Sequence, residues 1–114
     1  MKAITLFAAL LCFSGIATAQ KPAVTEATFH VSGVCGMCKA RIEKTLSIKE
    51  VKYAKWDKST KTVKVAYLSA SMTLDSLQHR VALAGHDTEK YRAPDAIYAD
   101  LPGCCLYRDN TGTH

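Results

Sequence analysis

A Cys-x-x-Cys motif stands between two stretches of different periodicity, and this arrangement limits the possible folds more than any other feature. Before the motif, apolar and polar residues alternate over 25–31, as in a strand with one buried face. After it, apolar residues recur every four positions from Cys38 to Leu46, which predicts a helix over about 38–47. Cys35 and Cys38 therefore lie at a predicted strand-to-helix junction.

A hairpin and a second helix are predicted next along the chain. The segments 51–56 and 63–67 are rich in β-forming residues, and the polar stretch 57–61 separates them. Thr73 can cap a helix whose apolar stripe ends just before Gly85, a residue suited to the end of a helix.

The order of elements predicts an α+β fold. With 87–92 as a weakly patterned fourth strand, the chain has the βαββαβ order of a ferredoxin-like domain. In that fold, two helices cover one face of a four-stranded antiparallel sheet. We expect the domain to occupy 24–93 and a short cysteine-containing extension, with one helical turn, to occupy 94–114.

The first nineteen residues have the pattern of a secretory signal peptide. Lys2 is followed by an apolar run and then by the small residues 17–19. We therefore expect cleavage, a periplasmic or secreted mature protein that is not embedded in a membrane, and room for one domain only. The formal net charge of +5 is spread along the chain, so no nucleic-acid partner is expected.

The motif Cys35-Gly36-Met37-Cys38 carries the chemistry. Backbone N–H groups at a helix start favour thiolate, and the positive charges of Lys39 and Arg41 add to this effect. Thiolates select soft ions, and two sulfurs suit Cu(I) or Hg(II) better than Zn(II), which prefers four ligands. Cu(I) is the leading prediction, with Hg(II) and Zn(II) as alternatives.

Three further residues have more than one interpretation. Cys104 and Cys105 are either extra metal ligands, or partners in a disulfide with Cys35 or Cys38, or without a role. His86 follows Gly85, in a loop that the predicted fold places beside the motif. It is either a third ligand or a surface histidine without contacts.

The chain resembles the heavy-metal-associated domain family, which includes copper chaperones, modules of metal-transporting ATPases and the periplasmic mercury-binding protein. The segment 31–38 carries the resemblance, together with Ile42 and Leu46. The resemblance implies metal binding at Cys35 and Cys38. The family usually has an inward-packed methionine before the first cysteine. Here a single residue, Val34, separates Gly33 from Cys35, and that methionine is absent. We expect the side chain of Val34 or of Met37 to pack inward in its place.

The combined pattern predicts a non-enzymatic metallochaperone or scavenger. Its expected partner is a metal-transporting membrane protein or another metal-binding domain, and it is expected to act as a monomer or a metal-bridged dimer. The alternative is a thiol-disulfide oxidoreductase in which Cys35 attacks and Cys38 resolves. Such enzymes usually have a cis-proline loop near the cysteines, and no proline occurs between Pro22 and Pro94.

Overall fold

The sheet is the framework of the molecule. The computed structural model describes residues 23–109, and within them three antiparallel strands form a sheet in which the third strand along the chain lies between the first and the second. The first two helices of the described chain alternate with these strands as predicted, so the α+β order is confirmed as far as the second helix. In chain order the elements are β1 (Val24–His30), α1 (Gly36–Thr45), β2 (Val51–Asp57), β3 (Thr62–Leu68) and α2 (Leu74–Leu83).

Alternating side chains of the strands build one side of the core. Phe29 and Trp56 both pair with Val63 of the central strand, and all three are buried. This row is the buried face that the period of two predicts. The helices add apolar side chains that are completely buried in the same core cluster: Ile42, Leu46, Leu77 and Val81.

Both helices have the ends that their local chemistry dictates. Helix α1 begins at Gly36, two residues earlier than predicted, because the Cys35 carbonyl already accepts the Lys39 N–H at 3.1 Å. Helix α2 is capped as predicted, since Thr73 Oγ1 accepts the Ser76 N–H at 3.1 Å. Gly85 follows it with a φ of 110°, a conformation that strains residues with a side chain.

The predicted fourth strand is wrong for the described chain. Segment 87–92 forms a turn in which the Thr88 hydroxyl accepts the N–H groups of Lys90 (3.2 Å) and Tyr91 (3.0 Å). The Thr88 N–H donates to the Tyr91 carbonyl at 2.8 Å, so these groups bond locally and not to a neighbouring strand. A single bridge between Val31 and Thr88 remains at the outer edge of β1.

The segment after residue 93 packs against the core. It contains a short helix, α3 (Asp95–Ala99), and a 3-10 turn (Gly103–Cys105), in agreement with the predicted helical turn. Tyr98, Cys105 and Tyr107 are buried members of the core cluster. The segment is thus part of the packed structure, whereas the domain boundary near residue 94 stays a prediction.

The predicted signal peptide, 1–19, lies outside the described residues and stays a prediction, as does the end of the extension at 110–114. Among the helices that the structure describes, none has the length and apolar character needed to cross a bilayer.

Gly33 fits under Trp56 only because it lacks a side chain. A Cβ at this position would lie 2.9 Å from the indole ring and 3.0 Å from Cys38 Cβ. The ring cannot easily move away, because its Nε1–H donates to the Val31 carbonyl at 2.9 Å. We therefore predict that Gly33→Ala lowers the free energy of unfolding by about 2 kcal/mol in urea denaturation.

Gly36→Ala is the matched control for this prediction. A Cβ at Gly36 meets nothing within 4 Å, and alanine favours the helix that begins there. Its free energy of unfolding should stay the same or rise by less than about 1 kcal/mol. Equal losses in the two variants would show that the contact with Trp56 does not limit residue 33.

Candidate metal centre

The two cysteines of the motif converge at the start of helix α1. Cys35 is the extended residue that precedes the helix, and Cys38 lies in its first turn. Their sulfur atoms are 3.3 Å apart, and both side chains are buried. Val34 is buried beside them, whereas Met37 is half exposed, so Val34 takes the inward place and Met37 does not.

A third thiol comes from the C-terminal segment. Cys105 is completely buried, and its sulfur lies 3.4 Å from that of Cys35. The sulfur atoms of Cys35, Cys38 and Cys105 all lie within 4.8 Å of one another, close enough to bind one ion. We call these residues the thiol triad.

Cys104 lies outside the triad, at the surface. Its sulfur is 3.7 Å from Cys35 Sγ, 3.9 Å from Cys105 Sγ and 3.4 Å from the Met37 thioether sulfur. All four described cysteines are free thiols, so the structure contains none of the disulfides considered for the tail. The adjacent residues Cys104 and Cys105 thus occupy different environments, one exposed and one buried.

The thiols of the motif differ in their acidity. Burial raises the pKa of Cys35, but hydrogen bonds from the Cys38 N–H and the neighbouring thiols outweigh it and lower that pKa to about 7. Burial dominates at Cys38 and raises its pKa to about 12. The pKa of Cys104 rises to about 11, chiefly because its hydrogen bond is to Cys35. Cys35 is therefore the first sulfur of the motif to become thiolate.

Arg41 brings positive charge to the triad. Its Nη1 lies 3.3 Å from Cys105 Sγ and 3.4 Å from His86 Nε2. Lys39 does not take the corresponding position, because its Nζ pairs with Glu43 and donates to the Trp56 carbonyl at 3.1 Å. Of the two positive charges expected near the motif, the structure directs that of Arg41 to a sulfur.

His86 is buried and has polar partners on both ring nitrogens. Its Nδ1 lies 2.8 Å from the Ser32 carbonyl, which requires a proton on that nitrogen, and its Nε2 faces Arg41. The ring also stacks on Tyr107 with centroids 5.5 Å apart. The expectation of a surface histidine without contacts is wrong. Metal ligation by His86 stays a prediction, although its unprotonated nitrogen, Nε2, is directed toward the Arg41 guanidinium.

The C-terminal segment is fastened to the 85–87 loop. The Tyr107 hydroxyl donates to the Gly85 carbonyl at 2.7 Å and accepts the Asp87 N–H at 2.8 Å. Arg108 binds both carboxylate oxygens of Asp87, at 2.8 and 3.1 Å, and stacks over the Tyr98 ring. We call these contacts the tail clamp. They hold the chain just after Cys105 against the loop.

Sequence reasoning missed the tail clamp and the sulfur contact of Met37. The clamp joins residues about 20 positions apart through side chains with no recurring pattern. The sequence signal for the clamp was the pair Tyr107 and Arg108, shortly after the two adjacent cysteines. Such residues are common in surface segments, so their presence does not by itself predict these contacts.

The fold of this chain is similar to the folds of several solved structures. No family model and no curated protein matches the sequence. Among solved structures, the copper form of a CopA variant from Bacillus subtilis is 30% identical with a TM-score of 0.51, covering 60% of this chain and 93% of that one. This chain belongs to the heavy-metal-associated domain family.

Two further structures agree with this assignment. The N-terminal domain of a potential copper-translocating P-type ATPase from Bacillus subtilis, in the Cu(I)-loaded state, is 29% identical with a TM-score of 0.54 and covers 58% of this chain and 85% of its own. Oxidized MerP from Ralstonia metallidurans, 22% identical with a TM-score of 0.55, covers 59% of this chain and 96% of its own and shares the fold. The resemblance to heavy-metal-associated domains is confirmed.

The buried His86 should make the stability of this heavy-metal-associated domain depend on pH. Burial lowers its pKa to about 4, and Arg41 acts in the same direction, against the opposing effects of the Ser32 carbonyl and Asp87. The folded protein thus holds His86 neutral at a pH where the unfolded chain binds a proton. We predict that the free energy of unfolding falls by about 2 kcal/mol between pH 7 and pH 5.

The control is His86→Asn, which keeps a donor for the Ser32 carbonyl but has no proton to gain in this range. Urea denaturation at both pH values should show a smaller loss for His86→Asn than for the wild type. An equal loss in the two proteins would contradict the assignment of this pH dependence to His86.

Proposed function

We propose that this protein carries a thiophilic metal ion, with Cu(I) as the leading cargo. The observation that supports the proposal is the thiol triad, three buried sulfurs within 4.8 Å of one another at the start of a helix. Soft thiolate ligands select Cu(I) and similar ions over hard cations. In this proposal Cys35, Cys38 and Cys105 are the ligands, and the protein is a metallochaperone or scavenger without catalytic activity.

The number of sulfurs favours Cu(I) over Zn(II), and the local charge helps a Cu(I) site to form. Zn(II) prefers four ligands, and the triad offers three. Cu(I) bound by three thiolates has a formal charge of −2, which is costly in a buried site. Arg41, 3.3 Å from Cys105 Sγ, offsets part of that charge. Hg(II) also suits soft sulfur ligands and is the main alternative cargo.

Transfer of the ion fits this site better than permanent storage. Thiolate ligands of Cu(I) can be exchanged for one another, and Cys104 is exposed beside the triad, so a sulfur of a partner can share the ion in an intermediate during transfer. A second metal-binding domain or a metal-transporting membrane protein is the expected partner. Because the third thiol comes from the same chain, the site does not require a metal-bridged dimer, and we favour a monomer.

The location proposed for this activity is the periplasm or the extracellular space. The proposal depends on the apolar leader and the small residues at 17–19, which have the pattern of a cleaved signal. An exported carrier would meet metal ions outside the reducing cytosol, where free thiols must also resist oxidation.

A thiol-disulfide oxidoreductase is the second candidate. The lowered pKa of Cys35, about 7, and its sulfur neighbours at 3.3 and 3.4 Å favour it, because thiolates attack disulfides. The described residues contain no cis peptide bond, so a cis-proline loop does not adjoin these cysteines. We therefore rank metal transfer first.

Anaerobic titration with Cu(I) against a chromophoric chelator tests the proposed function. We predict that Cys35→Ser and Cys38→Ser each weaken binding by about a hundredfold or more, and that Cys105→Ser weakens it by about tenfold, or about 1.4 kcal/mol. Circular dichroism of each variant controls for folding. A reduced wild-type protein that fails to compete for Cu(I) but reduces disulfide substrates would support the oxidoreductase instead.

Arg41 provides a test of the charge argument. Arg41→Gln removes the positive charge beside Cys105 and should weaken Cu(I) binding by about tenfold in the same titration. Lys44→Gln is the matched control, because it removes one positive charge from the same helix at a residue with no sulfur contact among those described. Equal losses would mean that only the overall charge of the helix matters.

A further inference from the structure

Met37 exposes a soft sulfur beside the motif. Its side chain is 52% exposed in the first turn of α1, although a thioether gains nothing from contact with water. The Sδ atom lies 3.4 Å from Cys104 Sγ, which is exposed as well. Scattered apolar residues on a surface are ordinary, but two soft sulfurs in contact form a pair of metal donors.

This outer pair connects with the buried triad. Cys104 Sγ lies 3.7 Å from Cys35 Sγ, and Cys35 Sγ lies 3.3 Å from Cys38 Sγ and 3.4 Å from Cys105 Sγ. Sulfur atoms therefore follow one another at contact distance from the surface to the core. Cys35 belongs to both groups, since it touches the exposed Cys104 and the two other members of the triad.

We propose that Met37 and Cys104, with Cys35 as a shared ligand, form an outer Cu(I) site through which the ion enters and leaves the thiol triad. The inference rests on the proposed function, because it requires the triad to be the destination of the ion. It assigns a role to a methionine and to the exposed member of the cysteine pair, neither of which belongs to the triad.

Each step in this route is an exchange of ligands without any redox change. Met37 and Cys104 form bonds to Cu(I) as bonds to two sulfurs of the donor break, and the Cys104 thiol releases its proton to water. The ion next gains a bond to Cys35 and loses that to Cys104, as the proton of the Cys35 thiol passes to the Cys104 thiolate. It then gains bonds to Cys38 and Cys105, whose thiol protons pass to water, and loses its bond to Met37. Copper remains Cu(I) throughout, and the ion is never without sulfur ligands.

The surroundings of Met37 favour delivery of the ion by a donor complex. Met37, Ala40, Arg41 and Lys44 line the same surface depression, which is positively charged. A free cation is repelled there, whereas Cu(I) held by two thiolates of a donor carries a net negative charge and is attracted.

The rate of loading tests the outer site. The reduced protein without residues 1–19 is mixed with a coloured Cu(I)–chelator complex of net negative charge. Stopped flow then follows the loss of the colour of that complex. We predict that Met37→Leu and Cys104→Ser each slow loading by about tenfold, or about 1.4 kcal/mol in the barrier. Met72→Leu, which changes a methionine outside the sulfur cluster, should load at the wild-type rate.

A second readout observes the thioether directly. With isotope-labelled methionine methyl groups, substoichiometric Cu(I) should shift or broaden the NMR signal of Met37 and leave that of Met72 unchanged. Because the triad is adjacent, the same experiment is run on Cys104→Ser: loss of the Met37 response with Cu(I) still bound would indicate ligation at the outer site, whereas an unchanged response would come from the loaded triad alone.

The outcomes separate the two proposals. If the wild type never withdraws Cu(I) from the chelator, the proposed function fails. If the wild type loads, but Met37→Leu and Cys104→Ser load equally fast and the Met37 methyl signal is unaffected, the outer site is wrong and the triad stands. Slower loading together with the Met37 response supports the outer site.

Discussion

The pairing of Arg108 with Asp87 is the constraint on which the candidate metal centre depends. Both side chains are largely buried, and the guanidinium binds both carboxylate oxygens. Bidentate pairs of this kind are strong and specific in direction. Together with the Tyr107 hydroxyl, the pair holds the C-terminal segment against the 85–87 loop. Cys105 lies three residues before Arg108, so its position over Cys35 follows from this contact.

The centre itself joins a neutral imidazole, a guanidinium and three thiols in a defined order. His86 is oriented by the Ser32 carbonyl, Arg41 lies between His86 and Cys105, and Cys105 contacts Cys35. Each polar group thus has a partner, as buried polar groups require. A protonated His86 would place two positive charges side by side. The neutral ring therefore lets Arg41 direct its charge toward sulfur.

The parts of this structure that could be predicted from sequence are those with local causes. The alternation of apolar and polar residues predicted the strand before Cys35, and apolar residues at every fourth position predicted the helix after it. Thr73 and Gly85 predicted the ends of α2. The prediction of a fourth strand was wrong because the Thr88 hydroxyl accepts hydrogen bonds from N–H groups that, in a strand, would bond to a neighbouring strand. The choice of Cys105 as the buried thiol depends on packing between distant segments, which no periodicity encodes.

The separation of Cys35 and Cys105 along the chain has a mechanical consequence. An ion shared by these residues would connect positions 70 residues apart and close most of the domain into a ring. Such a cross-link restricts the unfolded chain in the manner of a disulfide, and longer loops gain more from it. Unlike a disulfide, it would open whenever the ion departs. The bound ion would then act as a reversible cross-link, and the loaded carrier would be more rigid than the empty one.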